Sequence, residues 1–435
     1  MAVILQRKLF GWEEIEELGD LQRLLLVLEN LPDENLMKLL ENDRGNGRND
    51  YPVRGVWNAI LAGIVYQHPS IESLRRELAR NGQLRSLCGL TRVPPSWVFS
   101  RFLQKLIEYQ TEVFAIFDTL VEQIRELLPD FGSVLAIDGK ALETHANPRS
   151  KNAPSLPKDG RRDNDADHCR KVYHGQNEDG STWTKVVRWF GFRLHLIVDA
   201  QYELPVAFEV EQASKNEMPV AHDLLDTLNR VHPELLEDCT YFLGDRGLDD
   251  GKLIKKLWDE HEIKAVIDIR NMWKDGEETR LVCGENNVAY NYCGTVYCYC
   301  PVTGIRREMA YGGFERDRET LKFRCPAAHY GIDCQGKEQC SVKGSIRISM
   351  EEDRRIFTPL ARPSYKWKSI YKMRSSVERV NGRLDVSFGF ENHYIRGLTK
   401  MKMRCGLALM VMLAMAKGRI LEKQEDKIRS LVQAA

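Results

Sequence analysis

Apolar residues recur at helical spacing near the start of the chain: Leu21, Leu24, Leu25, Leu28 and Leu31, then Leu36, Leu39 and Leu40, with Pro32-Asp33 between the two sets. The period predicts two short amphipathic helices broken at the proline. Residues 43–50 read as a polar, glycine-containing linker, and the helical pattern then continues to about 130. Within it, Pro94-Pro95-Ser96 reads as a stop and a fresh N-cap, opening a helix that carries Trp97, Arg101 and Lys105. From Val134 the pattern changes to apolar runs of strand length, at 134–138, 188–200, 204–212, 240–244 and 263–270, with helices at 219–231 and 250–261. The polar stretch 147–183 between the first two runs predicts a long functional or mobile loop. Short β-prone runs lie at 288–293 and 295–300, and helix returns over 371–385. The longest apolar run, Cys405 to Ala416, is too short for the roughly 20 residues a bilayer demands and reads as a buried core helix. The organisation that follows is a helical segment (1–45), a helical domain (46–130), an α/β core in two parts (131–270 and 356–418) split by a β-rich insertion (271–355), and a tail (419–435).

At 435 residues and 43% hydrophobic content the chain can bury sizeable cores in two or three domains. Its 63 basic and 63 acidic side chains cancel, which argues against a uniformly basic coat protein. The balance hides a polarity. Residues 1–50 hold 11 acidic and 6 basic side chains, 362–404 hold 11 basic and 3 acidic, and 71–105 hold 7 basic and 2 acidic. Both basic stretches could track a nucleic-acid backbone, or be ordinary solvated helix faces. The helices before and after Pro94 could form a helix-turn-helix reader or a scaffold that never enters a groove. The start of the chain shows no targeting segment, because Met1-Ala-Val-Ile-Leu soon meets the acidic run Glu13 to Glu17; a cytoplasmic protein is expected. Seven of the 11 cysteines fall between Cys283 and Cys340. Cys325, Cys334 and Cys340, with His329 among them, could hold a structural Zn²⁺, with free thiols as the alternative.

Three carboxylates carry the candidate chemistry. Asp138 closes the run Val134 to Ile137 and precedes Gly139-Lys140, which predicts a strand end with room for a phosphate. Asp245 repeats the pattern after Tyr241-Phe242-Leu243-Gly244 and before Arg246-Gly247. Glu378 lies in the helical stretch, where Tyr371, Arg374, Glu378 and Asp385 share an arc of about 60° at about 100° per residue. Hard divalent cations take oxygen ligands, and a pair of them held by carboxylates can stabilise both oxygens of an in-line phosphate displacement. A single Asp-Gly is usually a turn; the helical block is the more specific signal. Glu143 and His145, just beyond Asp138, read as structural.

Tyr371-x2-Arg374-x3-Glu378 resembles the Tyr-Arg-Glu signature of DDE transposases from bacterial insertion sequences. Leu135-Ala-Ile-Asp138-Gly-Lys140 and Leu243-Gly-Asp245-Arg-Gly-Leu-Asp-Asp250 look like that family's two aspartate strands, 191–199 with 204–207 like the paired strands between them, and 51–90 like its helical domain. The resemblance covers residues 43–416. It implies a ribonuclease-H-like mixed sheet with helices, preceded by an all-α domain and interrupted by a β-rich insertion. It further implies an enzyme that cleaves and joins DNA at element ends, with Asp138, Asp245 and Glu378 holding two Mg²⁺ ions that Mn²⁺ can replace, and Tyr371 and Arg374 on phosphate. Lys140 is a second-rank phosphate contact, and Arg101 and Lys105 are DNA contacts of the helical region. The family carries a lysine seven residues after the glutamate, where this chain has Asp385; Arg383 or Lys400 are the candidates to replace it. The implied partners are double-stranded DNA with terminal inverted repeats, target DNA, and a second copy of the chain assembled on DNA at the nucleoid. Two other classes stay open: a metal-dependent nuclease that cuts without joining, and a domesticated DNA-binding protein without chemistry. Arg374 could also serve only as the helical ion-pair partner of Glu378.

Overall fold

The computed structural model describes residues 19–45, 50–148, 163–177 and 179–429. The acidic run Glu13 to Glu17, residues 46–49 of the 43–50 linker, residues 149–162 and the end of the tail lie outside the described residues. Helices α1 (Asp20–Asn30) and α2 (Glu34–Arg44) bury Leu21, Leu24 and Val27, then Leu36, Met37 and Leu40. Between them Asp33 is buried and accepts from Trp57 Nε1 and Arg54 Nη1, both at 2.5 Å, which pins α3 (Val53–Val65) to the break. α4 (Ile71–Arg80), α5 (Gly82–Leu87), α6 (Ser96–Glu108) and α7 (Gln110–Leu127) complete the helical region. Ser96 is the first helical residue of α6 rather than its cap, because the extended Pro95 takes the capping position.

The central sheet is built from β1 (Val134–Glu143), β2 (Asp167–Gln176), β3 (Thr182–Asp199), β4 (Leu204–Gln212), β5 (Tyr241–Gly244) and β6 (Lys264–Ile267). Its core order is β4-β3-β1-β5-β6: β3 runs antiparallel to β1 and β4, while β1, β5 and β6 run parallel. Three antiparallel strands followed by a parallel pair are the mixed sheet of a ribonuclease-H-like fold. The second half of β3 is buried throughout, including Leu194, Leu196, Ile197 and Val198, as a strand covered on both faces must be. α8 (Glu217–Val231), α9 (Pro233–Glu237) and α10 (Gly251–His261) supply the crossovers.

Within the loop expected at 147–183, the described residues Asp167–Gln176 are corrected to strand. β2 pairs with residues 182–191 of β3, so the hairpin forms an arm that leaves the core sheet. The ladder meets its inward-facing backbone donors and acceptors and leaves the outer ones to solvent, so it needs few buried side chains to exist. Gly191 marks the junction: it pairs with Asp167 of β2 and with Glu143 of β1, its φ is 157°, and a Cβ there would meet Leu142 O at 2.2 Å.

Between β6 and the Glu378 region lie an antiparallel sheet of β7 (Arg280–Leu281), β8 (Val288–Tyr290), β9 (Val296–Tyr299) and β10 (Arg306–Glu308), and a second of β11 (Ala310–Glu315), β12 (Thr320–Arg324) and β13 (Ser345–Ser349). α11 (Pro326–Tyr330) lies between the last two strands. These elements have their own apolar cluster, including Val288, Val296, Leu321, Phe323, Ile348 and Phe357. The helix expected over 371–385 is divided: α12 (Tyr365–Tyr371) tightens into a 3₁₀ turn at Lys372–Arg374 before α13 (Ser375–Phe388). A 3₁₀ turn advances about 120° per residue, so the single-helix arc does not hold across it. α14 (Leu398–Leu421) packs against α1, α3, α7 and β4 and is buried on all sides from Cys405 to Ala416, as its unbroken apolar run requires. Among the described residues no helix is long and apolar enough to cross a membrane.

Candidate active site

β1 and β5 pair in parallel register, Val134 with Tyr241, Leu135 with Phe242 and Ala136 with Leu243. Two residues further along each strand stand Asp138 and Asp245, so the register sets them level. Asp138 does not end its strand as expected: β1 runs on to Glu143, held by β3 alone once β5 has turned away. Asp138 Oδ1 accepts from Gly139 N at 2.7 Å. Asp245 Oδ1 accepts from Gly247 N at 2.7 Å and caps the 3₁₀ turn Arg246–Leu248. Burial pushes the Asp138 carboxyl up to about 6; the Gly139 amide opposes this, and the Asp245 charge adds to it.

α13 brings Glu378 to the site through Arg374. Arg374 Nη2 donates to Glu378 Oε1 at 2.7 Å, and its Nη1 is 3.9 Å from Asp138 Oδ2. Burial works against the guanidinium's charge, but Glu378 more than offsets it and holds the group above its ordinary value. The Glu378 side chain is 53% exposed and turned toward this arginine. Tyr371 stacks on Trp367 with centroids 4.7 Å apart. Lys140 Nζ lies 2.5 Å from Asp385 Oδ2, so the acidic residue that departs from the resemblance has a lysine partner on β1.

Glycines 139 and 247 do not leave open space. A Cβ on Gly139 would meet Arg193 Cδ at 3.0 Å and Glu217 Oε1 at 3.5 Å; one on Gly247 would meet Asp245 Oδ1 at 2.8 Å and Glu217 Oε2 at 3.0 Å. Room for a phosphate is therefore corrected to room for a second tier of charged side chains. Glu217 Oε1 accepts from Arg193 Nη1 at 2.5 Å and from Lys171 Nζ at 3.0 Å. Burial alone would raise the Glu217 carboxyl, but Lys171 and Arg193 outweigh it and hold it below its ordinary value. His195 pairs with Gly139 across β1 and β3, and burial, followed by the Arg193 charge, depresses it to about 4. None of these four residues was legible as part of the site. Their signal was limited to the Asn216-Glu217 helix start after β4, which also marks an ordinary N-cap.

The oxygen-only set Asp138, Asp245 and Glu378 suits a hard divalent cation, and the raised Asp138 carboxyl beside Asp245 marks negative charge that such a cation would compensate. Among the described residues no three His, Cys, Asp or Glu side chains already form a metal cage. Cys325, Cys334 and Cys340 form no disulfide: Cys340 Sγ accepts from Asn287 Nδ2 at 3.1 Å, Cys334 Sγ lies 3.9 Å from Arg307 Nη1, and all three bear on Cys298.

The remaining predicted contacts lie apart from this centre. Arg383 donates to the Glu203 carbonyl at 2.9 Å and to its carboxylate, and is only 12% exposed; its guanidinium is committed to structure. Lys400 is exposed near the start of α14. Arg101 covers the exposed Trp97 at 4.9 Å, and Lys105 pairs with Asp43 at 2.9 Å and Glu108 at 2.8 Å. His145 meets Tyr394 edge-on at 4.7 Å.

No curated protein matches the chain. A solved cryo-EM structure of a piggyBac transposase synaptic complex with hairpin DNA is 12% identical, with 95% of this chain and 79% of that chain covered and a TM-score of 0.37, too slight a likeness to carry an argument. The sequence family described as Transposase DDE domain matches residues 129–414, a span that includes both aspartate strands, the insertion and the Glu378 helix. The chain belongs to the DDE-domain transposase family.

Proposed function

We propose that this transposase cuts DNA at the ends of an insertion sequence and joins them to target DNA, with Asp138, Asp245 and Glu378 as the metal-holding carboxylates. The observation that carries the reading is the level register of Asp138 and Asp245, with Arg374 spanning from Asp138 to Glu378. Bound Mg²⁺ or Mn²⁺, two per site, supplies the Lewis acidity that activates water and stabilises the attacking and leaving oxygens. The chain's own residues do the rest. β1 and β5 fix the two aspartates, and the 3₁₀ turn aims Arg374 between the carboxylates. An arginine in that place offers a planar fork to a phosphate once the carboxylates are engaged elsewhere, and Tyr371 borders the same position. Lys140, held at Asp385, acts on phosphate only by leaving that partner. Arg101, Lys105 and Lys400 supply contacts to flanking DNA, and two copies assemble on paired ends at the nucleoid.

Removing a metal-holding carboxylate deletes charge without deleting DNA-binding surface. Asp138→Ala and Asp245→Ala should each abolish Mg²⁺-dependent cleavage while end affinity stays within about tenfold, roughly 1.4 kcal/mol. Full cleavage by either purified variant sinks the assignment. Cleavage by the unmodified chain without strand transfer would favour a nuclease.

A further inference from the structure

Two cations share one carboxylate beside the proposed centre. Arg193 is 6% exposed in its side chain, lies over the Trp189 ring at 5.3 Å and also donates to Cys169 Sγ at 3.0 Å, so its position is fixed on three sides. Its pair with Glu217 is complete without Lys171. Lys171 Nζ meets the same Glu217 oxygen at 3.0 Å, and its side chain is 31% exposed, which leaves it the accessible charge of the three. Glu217 in turn lies against Gly139 and Gly247, the residues next to Asp138 and two beyond Asp245, so Lys171 stands at the edge of the carboxylate pair. The element that carries it is the arm: Lys171 pairs with Val187, in the exposed half of β3, outside the core sheet.

On this geometry, and resting on the site reading above, we infer that Lys171 is a phosphate-contacting residue of the reaction, delivered by the β2–β3 arm and held ready by Glu217 and Arg193. An ammonium on a flexible stem has three rotatable donors and needs no fixed fork to reach a non-bridging oxygen. When DNA enters, Lys171 exchanges Glu217 for phosphate, and Glu217 keeps Arg193, so no buried carboxylate is left unpaired. Glu217 is thereby a positioning residue that acts through Lys171. The Lys171 charge also bears on Asp138 and opposes its raised carboxyl.

The test uses the full chain on pre-cut and uncut element ends. Lys171→Met should lower the single-turnover cleavage rate by on the order of a hundredfold, as loss of one preorganised charge at a reacting phosphate does, with a much smaller change in end affinity. Lys171→Arg should restore most of the rate. Glu217→Gln should slow cleavage in the native background and add nothing in the Lys171→Met background. If the methionine variant fails to fold by circular dichroism, Lys171→Gln takes its place. Wild-type cleavage by the charge-free variant overturns the inference, as does an equal effect of Glu217→Gln in both backgrounds. Asp138→Ala run in parallel separates the two claims: if it is inert while Lys171→Met is active, only the arm's role falls; if it also cleaves, the site itself is misassigned.

Discussion

At the residue scale, the burial of Asp138 works against its charge. Its carboxyl ionises near its ordinary value in an unfolded chain and at about 6 in the folded one, chiefly through burial. Ionisation therefore opposes folding. The penalty is absent below about pH 4, grows as pH rises, and is complete above the folded value. Asp138→Asn should accordingly stabilise the protein at neutral pH by on the order of 2 kcal/mol, with the gain vanishing below about pH 4; an equal gain at both pH values in thermal melts defeats the account. The placing of Asp138 and Asp245 beside the sheet was legible because an apolar run that reaches an aspartate next to a glycine is a strand signal. Glu217, Lys171 and Arg193 were not, since three separate elements bring them together. The glycines misled for a related reason: sequence reveals that a side chain is absent, not which neighbour occupies its space.

At the scale of elements, the segment from α12 to α13 sets how Arg374 and Glu378 differ. Both lie on one stretch of chain, yet Arg374 belongs to the tightened turn and Glu378 to the helix after it. Arg374→Ala should weaken binding of pre-cut ends by on the order of 2 kcal/mol, the worth of a charge-assisted contact, whereas Glu378→Ala should spare end binding and stop cleavage. Were the arginine only a helical partner of Glu378, its loss would cost about 0.3 to 0.5 kcal/mol of stability and leave end affinity unchanged. Filter binding and thermal melts on both variants separate these outcomes. The turn could not be read in advance, because Lys372, Met373 and Arg374 are all good helix formers and tertiary packing sets the local pitch. The arm was missed for the opposite reason: its composition is that of a loop, and pairing along β3 makes it a strand.

At the scale of the whole molecule, one apolar cluster runs from Leu21 through the sheet to Ile428, and α14 is its axis. The helical region is therefore not a detachable reader. A chain starting near Phe131 should lose its cooperative melt, because one side of α14 would face water; native-like unfolding of that fragment would contradict the single core. Recognition by the helical region is better probed at Trp97 and Arg101, where alanine should weaken end binding without shifting the melting temperature. The periodicity of 405–416 made α14 legible as a buried helix, but a sequence pattern cannot say which partners cover it. The position of α14 in the chain adds a constraint of timing. It is made after α1, α3 and α7, yet all three rest on it. The earlier helices stay incompletely covered until α14 has been made. The two aspartate strands are therefore made before the helix that completes their frame.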